Sequence, residues 1–284
     1  DNDGWLDLFV AAGYIPATRL LENPAEQRNV LFANRGPDRP FMDVSASAGV
    51  DRRRQSRGVA AGDYDRDGDV DLFIINLAGP PELLRNDAPT ERRALTIELE
   101  GRSSNRFAPN ALVRVYAGDA IHVREHGVRP SFASASPTEV YVGVGPSAVV
   151  DALDVRWPSG IHSRRLDAPL DPEGAPRVRI VEPWVTIAAL DGEVGPVPGA
   201  NADLAVRLVG HRSAPHPVIV QVDLRSADDT VVATAREAAN VGRGPRTIPI
   251  RVALPAELVG SPFRWVASVR DIEGAVDQHE LYPR

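Results

Sequence analysis

The chain has no cysteine. That excludes disulfides and thiolate metal sites, and it removes thiols as a guide to compartment. Lysine is missing too: all 32 basic residues are arginine, which we read as the mark of a GC-rich genome rather than of function. No apolar run approaches the ~18 residues of a membrane-spanning helix, so no span is expected. Positive charge is in deficit, with a formal net charge of −7. That balance argues against a nucleic-acid partner. At 284 residues, 43% of them hydrophobic, the chain can bury two or three ordinary soluble domains.

The acidic residues are concentrated. The run "AAGDYDRDGDVDLFIIN" spaces its carboxylates as Asp63-x-Asp65-x-Asp67-Gly68-x-x-Asp71, with Asp69 between the last two. Alternating carboxylates followed by glycine let a tight loop wrap oxygens around one hard cation, and Ca²⁺ takes six to eight such oxygens. Gly68 permits the sharp turn. The expected ligands are the carboxylates of Asp63, Asp65, Asp67 and Asp71, the carbonyl of Asp69, and water. Without a cation these carboxylates would repel one another. An EF-hand loop needs a bidentate Glu at its twelfth position, but that position is Ile74. The β-branched "LFIIN" after the loop predicts a strand, not an exiting helix. A solvated acidic turn is the plainer reading, but it gives no reason for this register.

The pattern occurs twice. Asp3-Gly4-x-x-Asp7-Leu8-Phe9-Val10 aligns with Asp67-Gly68-x-x-Asp71-Leu72-Phe73-Ile74, and Asp1 then matches Asp65. The counterpart of Asp63 would lie upstream of residue 1, so we expect a fragment that begins inside a motif. A second echo pairs "NVLFANRG" with "PELLRNDA". Strand-and-turn repeats of this length suggest propeller blades or a solenoid.

"RGVAAGDYDRDGDVDLFIIN" resembles the FG-GAP or VCBS repeat of integrin-α-like calcium-binding propellers. The repeat spacing, together with the segment downstream of the repeats, resembles the cartilage acidic protein family. The resemblance implies Ca²⁺ in these loops, carried by Asp63, Asp65, Asp67, Asp69 and Asp71. For the shortened first loop it implies Asp1, Asp3 and Asp7.

From Leu95 onward the texture becomes that of a small antiparallel β domain, with strands "LTIELEG", "LVRVYAG", "AIHVREHG", "TEVYVGVG" and "ALDVRWPSG". The alternation of Leu95, Ile97 and Leu99 with polar neighbours predicts that the first of these is half-buried. "GRSSNRFAPNALVRV", "PSFASASPTEVYVGVG" and "VDALDVRWPSG" resemble the ASPIC/UnbV domain. The matching residues are Asn105, Arg106, Ser134 to Pro137, Gly143, Gly145 and Trp157 to Gly160. Asn110 stands where that family usually has Gly, and Asn tolerates positive φ there. Trp157 reads as a core or turn aromatic. His122 and His126 sit on a strand pattern, too far apart for one metal.

The proline-rich stretch 167–183 reads as a linker. Beyond it, about seven alternating strands predict an Ig-like or fibronectin-like sandwich with Trp265 in its core. The expected organisation is all-β: propeller repeats over 1–94, an ASPIC/UnbV-like domain over 95–166, the linker, and the sandwich over 184–284. "RSADDTVV" reads as a turn.

The function expected from these features is a secreted or cell-surface β scaffold. Structural Ca²⁺ would hold it, and an unidentified protein or carbohydrate would bind to it. No acid/base or nucleophile set is evident, so no enzyme activity is expected. The competing readings are an accessory or enzymatic component with its site in upstream blades, or a carbohydrate-binding module using Trp157, Tyr141 or Tyr116.

Overall fold

A computed structural model describes residues 1–13, 26–77, 79–87, 92–127, 130–132, 134–145, 149–169, 176–192, 198–258, 262–272 and 275–281. Every regular element among them is a strand. The chain divides into two compact units. The first holds residues 1–98, 115–150 and 169–178; the second holds 99–114, 151–168 and 179–284.

In the first unit, the two repeats form separate antiparallel sheets. Leu8–Val10 pairs with Val30–Ala33, which pairs with Met42–Asp43. Ser56–Gly62 pairs with Asp71–Asn76, which pairs with Glu82–Leu84. The repeats share a register: Leu8 faces Phe32 as Leu72 faces Leu84. The strand Arg93–Glu100 runs antiparallel to Val140–Gly145. It is more than half-buried. Ala94 to Ile97 are all buried, so both faces of this central strand of a three-stranded sheet are covered.

In the second unit, alternation and burial agree. Leu204, Val206 and Leu208 share one apolar core with Val218, Val220, Val222, Leu224, Trp265, Ala267 and Val269. Seven strands among the described residues after 184 make two antiparallel sheets around that core, one of three strands and one of four. The stretch "RSADDTVV" is a turn, closed by Ser226 N–H donating to Thr230 O at 3.0 Å. Trp157 is buried and donates its indole N–H to Ser163 Oγ at 2.9 Å. Asn110 has a φ of 69°, a conformation that asparagine tolerates.

Within the proline-rich stretch, residues 170–175 lie outside the described residues. Arg177–Val181 forms a strand. That segment carries no proline, so its donors are intact.

Candidate metal centre

Gly62 stands opposite Asp71 in the second repeat, so residues 63–70 connect two paired strands. Gly68 sits at φ 96°, where a side chain would be strained. Local bonds fix the loop. Gly68 N–H donates to Asp63 Oδ2 at 3.3 Å, and Asp69 N–H donates to Asp67 Oδ1 at 2.9 Å. Asp71 is buried and accepts twice: from Tyr64 N–H at 3.0 Å and from Asn86 N–H at 2.8 Å.

This brings one carboxylate oxygen each from Asp63, Asp65 and Asp71 within 4.8 Å of one another. Asp63 Oδ1 is buried with no hydrogen-bond partner. Burial pushes the Asp63 carboxyl up, partly offset by the Arg66 and Gly68 N–H groups, and the Asp67 charge adds to the rise. Burial and the Asp67 charge also push Asp69 up. Three converging carboxylates, one with an orphaned buried oxygen, fit a hard cation with all-oxygen ligation. Asp67 and Asp69 engage their carboxylates elsewhere. Asp67 holds its own turn, and Asp69 accepts from Asn2 Nδ2 at 2.7 Å.

The first loop repeats the scaffold. Trp5 N–H donates to Asp3 Oδ1 at 2.8 Å, the counterpart of the Asp69–Asp67 bond. Asn34 N–H donates to Asp7 Oδ1 at 2.8 Å, the counterpart of Asn86 and Asp71. Asn34 Nδ2 reaches Leu6 O, as Asn86 Nδ2 reaches Val70 O. Asp1, Asp3 and Asp7 nevertheless form no metal-holding group among the described residues. Arg92 lies beside them, 2.7 Å from Asp1 and 3.9 Å from Asp3.

Sequence reasoning misses four contributors. Asn34 and Asn86 anchor the last aspartate of each loop; both fall in the second echo, which is their only signal. Arg177 reaches within 3.8 Å of Asp63 and pairs with Glu139 at 2.5 Å. Gly143 packs on the backbone of Asn2, where a Cβ would come within 2.6 Å. A cleft of about 380 Å³ opens beside the loop, lined by Asp63, Tyr64, Asp71, Phe73, Leu83 and Tyr141 among others.

Residues 1–74 match the family of FG-GAP-like repeats, and residues 101–174 match the ASPIC and UnbV family. Parts of the chain resemble the cartilage acidic protein family. Cartilage acidic protein 1 of Homo sapiens is 54% identical over 56 residues, and that of Xenopus tropicalis 48% over the same length. Each match covers 19% of this chain and 8% of the relative, so the chain spans a small part of the curated proteins it matches. Among solved structures, a DUF3823 family protein from Parabacteroides merdae aligns with a TM-score of 0.30 and 10% identity, over 69% of this chain and all of that one. A glycosyl hydrolase family 2 member from Bacteroides cellulosilyticus aligns with a TM-score of 0.29 and 11% identity, over 68% of this chain and 26% of that one. Similarity at that level carries no argument about fold or function. No helix among the described residues is long and apolar enough to cross a membrane.

Proposed function

We propose that this chain is part of an extracellular, calcium-stabilised β scaffold that binds a protein or carbohydrate ligand and has no catalytic role. The observation that carries the reading is the orphaned Asp63 oxygen among the converging carboxylates of Asp63, Asp65 and Asp71. Bound there, Ca²⁺ would neutralise the cluster and tie the two strand ends together. Asp67 and the Asp69 carbonyl would complete the shell through modest turns of the loop. The repeats would be blades of an integrin-α-like propeller, and the two sheets after residue 184 an Ig-like sandwich. The extracellular assignment rests on the family resemblance and on millimolar Ca²⁺ sufficing for weak loops of this type.

A ligand would meet the cleft beside the loop, where Tyr64, Phe73 and Leu83 are exposed. Trp157 gives a carbohydrate no stacking face, since it is buried. The aspartates that could serve as acids or bases are held by backbone N–H groups or, in this reading, would be taken up by the cation, which supports a non-enzymatic role.

The test is a thermal melt in EDTA, in millimolar Ca²⁺ and in millimolar Mg²⁺. The reading expects a rise specific to Ca²⁺ that grows as RT ln(1 + [Ca]/Kd). Identical melts in all three conditions would overturn it.

A further inference from the structure

The segment that carries Glu139 is fixed against the metal loop. Strand Ser56–Gly62 leads into Asp63 and is the outer strand of its sheet. Val59 N–H donates to Ser134 Oγ at 3.0 Å, and that hydroxyl donates back to Val59 O at 2.8 Å. Ala61 N–H donates to Ser136 Oγ at 3.1 Å. At Gly62 a Cβ would come within 2.9 Å of Pro137 Cγ and 3.6 Å of Tyr141 Oη, so the two segments approach where a side chain has no room. Tyr141 donates its hydroxyl proton to Glu139 Oε2, and Arg177 Nη1 lies 2.5 Å from Glu139 Oε1. The same nitrogen is 3.3 Å from Glu98 Oε1, while Arg177 Nη2 stays 3.8 Å from Asp63 Oδ2. Val140 faces Ile97, so Glu139 and Glu98 are cross-strand neighbours, and like charges in that relation repel unless a cation lies between them. Arg177 is drawn by these two carboxylates on one side and by Asp63 on the other, and the distances show which side holds it.

We propose that Glu139, with Glu98, holds Arg177 back from Asp63 and so keeps the carboxylate cluster of the second loop open to its cation. The inference rests on the metal reading above. A guanidinium is a cation on a tether, and Asp63 offers a buried oxygen with no hydrogen-bond partner. Released from Glu139, Arg177 would close the remaining gap by a turn of its long side chain and neutralise Asp63 in the ion's stead. Glu139 acts through Arg177 and not on the ion itself, which makes it a positioning residue. Glu139 and Tyr141 also line the cleft beside the loop, so this anchor sits where a cleft ligand can reach it.

The test is a calorimetric titration of Ca²⁺ into the whole chain and into Glu139→Gln, Arg177→Gln and the double variant. Glu139→Gln should weaken binding about tenfold, as loss of an outer partner does at other metal sites. In the Arg177→Gln background the same change should weaken it less than about threefold, because the competitor is gone. Equal losses in the two backgrounds would reveal only a missing negative charge and would overturn the proposal. So would Glu139→Gln binding Ca²⁺ as the parent does, whatever its melting temperature in EDTA. A parent chain that takes up no Ca²⁺ would overturn the metal reading and this inference with it, and that result is seen before any variant is compared. If circular dichroism shows Glu139→Gln unfolded, Glu139→Asp, which keeps the charge on a shorter reach, is compared in the same two backgrounds by the same criteria.

Discussion

Arg177 Nη2 lies 3.8 Å from Asp63 Oδ2, so a fixed cation stands at the rim of the carboxylate cluster. The Asp63 side chain is 1% exposed, which keeps solvent from screening the interaction fully. Arg177 therefore competes with any bound cation for the field of these carboxylates. Arg177→Gln is expected to tighten Ca²⁺ binding several-fold while lowering stability in EDTA by about 1 kcal/mol. Calorimetric titration of Ca²⁺ into both proteins checks this. Weaker binding by the variant would show that Arg177 organises the loop and does not oppose the ion.

The aspartates of the loop should separate into two kinds. Asp71 accepts from Tyr64 and Asn86 N–H groups, so Asp71→Ala strands two donors and should cost about 1–3 kcal/mol already in EDTA, and it should lose the Ca²⁺-dependent rise as well. Asp63 has an oxygen with no protein partner, so Asp63→Asn should remove the Ca²⁺-dependent rise in melting temperature and leave the EDTA melt nearly unchanged. Melts of both variants in each buffer distinguish them.

Glu182 in the second unit is fully buried. It accepts from Arg102 N–H at 2.6 Å, Ser104 N–H at 2.7 Å and the hydroxyls of Ser104 and Ser159. Burial pushes its carboxyl up, but these bonds outweigh it and the net shift is downward. Glu182→Ala leaves those donors unmatched and should cost about 1–3 kcal/mol by chemical denaturation. A cost under about 1 kcal/mol would mean that water replaces the carboxylate.

Asp277 should set a pH dependence of opposite sign. Burial pushes its carboxyl up to about 7, against backbone N–H bonds from Arg164 and Ile187. The folded state then binds a proton more tightly than the unfolded one. Its contribution is fully present below about pH 4 and is lost as pH rises through about 7. Asp277→Asn should flatten that part of the stability curve, measured by urea unfolding across the same pH interval.

Much of this is legible in the sequence because the signals are local. The Asp63–Asp71 spacing, the doubled motif and the two-residue alternation of Leu204, Val206 and Leu208 each lie within one loop or strand. The strand Val185–Gly192 escapes such a reading, since a register shift between Ile187 and Ala189 breaks its alternation. The strand His162–Pro169 is hidden because its end runs into the proline-rich stretch. Glu182 and Arg177 are invisible for another reason. Their partners lie far along the chain, 80 residues away for Arg102 and more for Asp63, and no periodicity reports such a pairing. Ser134 and Ser136 stand out only as matches to a domain pattern; the backbone groups they bond are 75 residues upstream.

That separation sets a schedule for synthesis. The edge Ser56–Gly62 leaves the ribosome before the serines that cover it exist. At roughly 5–20 residues per second, it waits roughly 4–15 s for them. The first unit as a whole cannot close until residue 178 has been made, because its pieces alternate along the chain with those of the second. A nascent chain of this protein thus passes through a period in which the outward groups of Val59 and Ala61 have only water to bond.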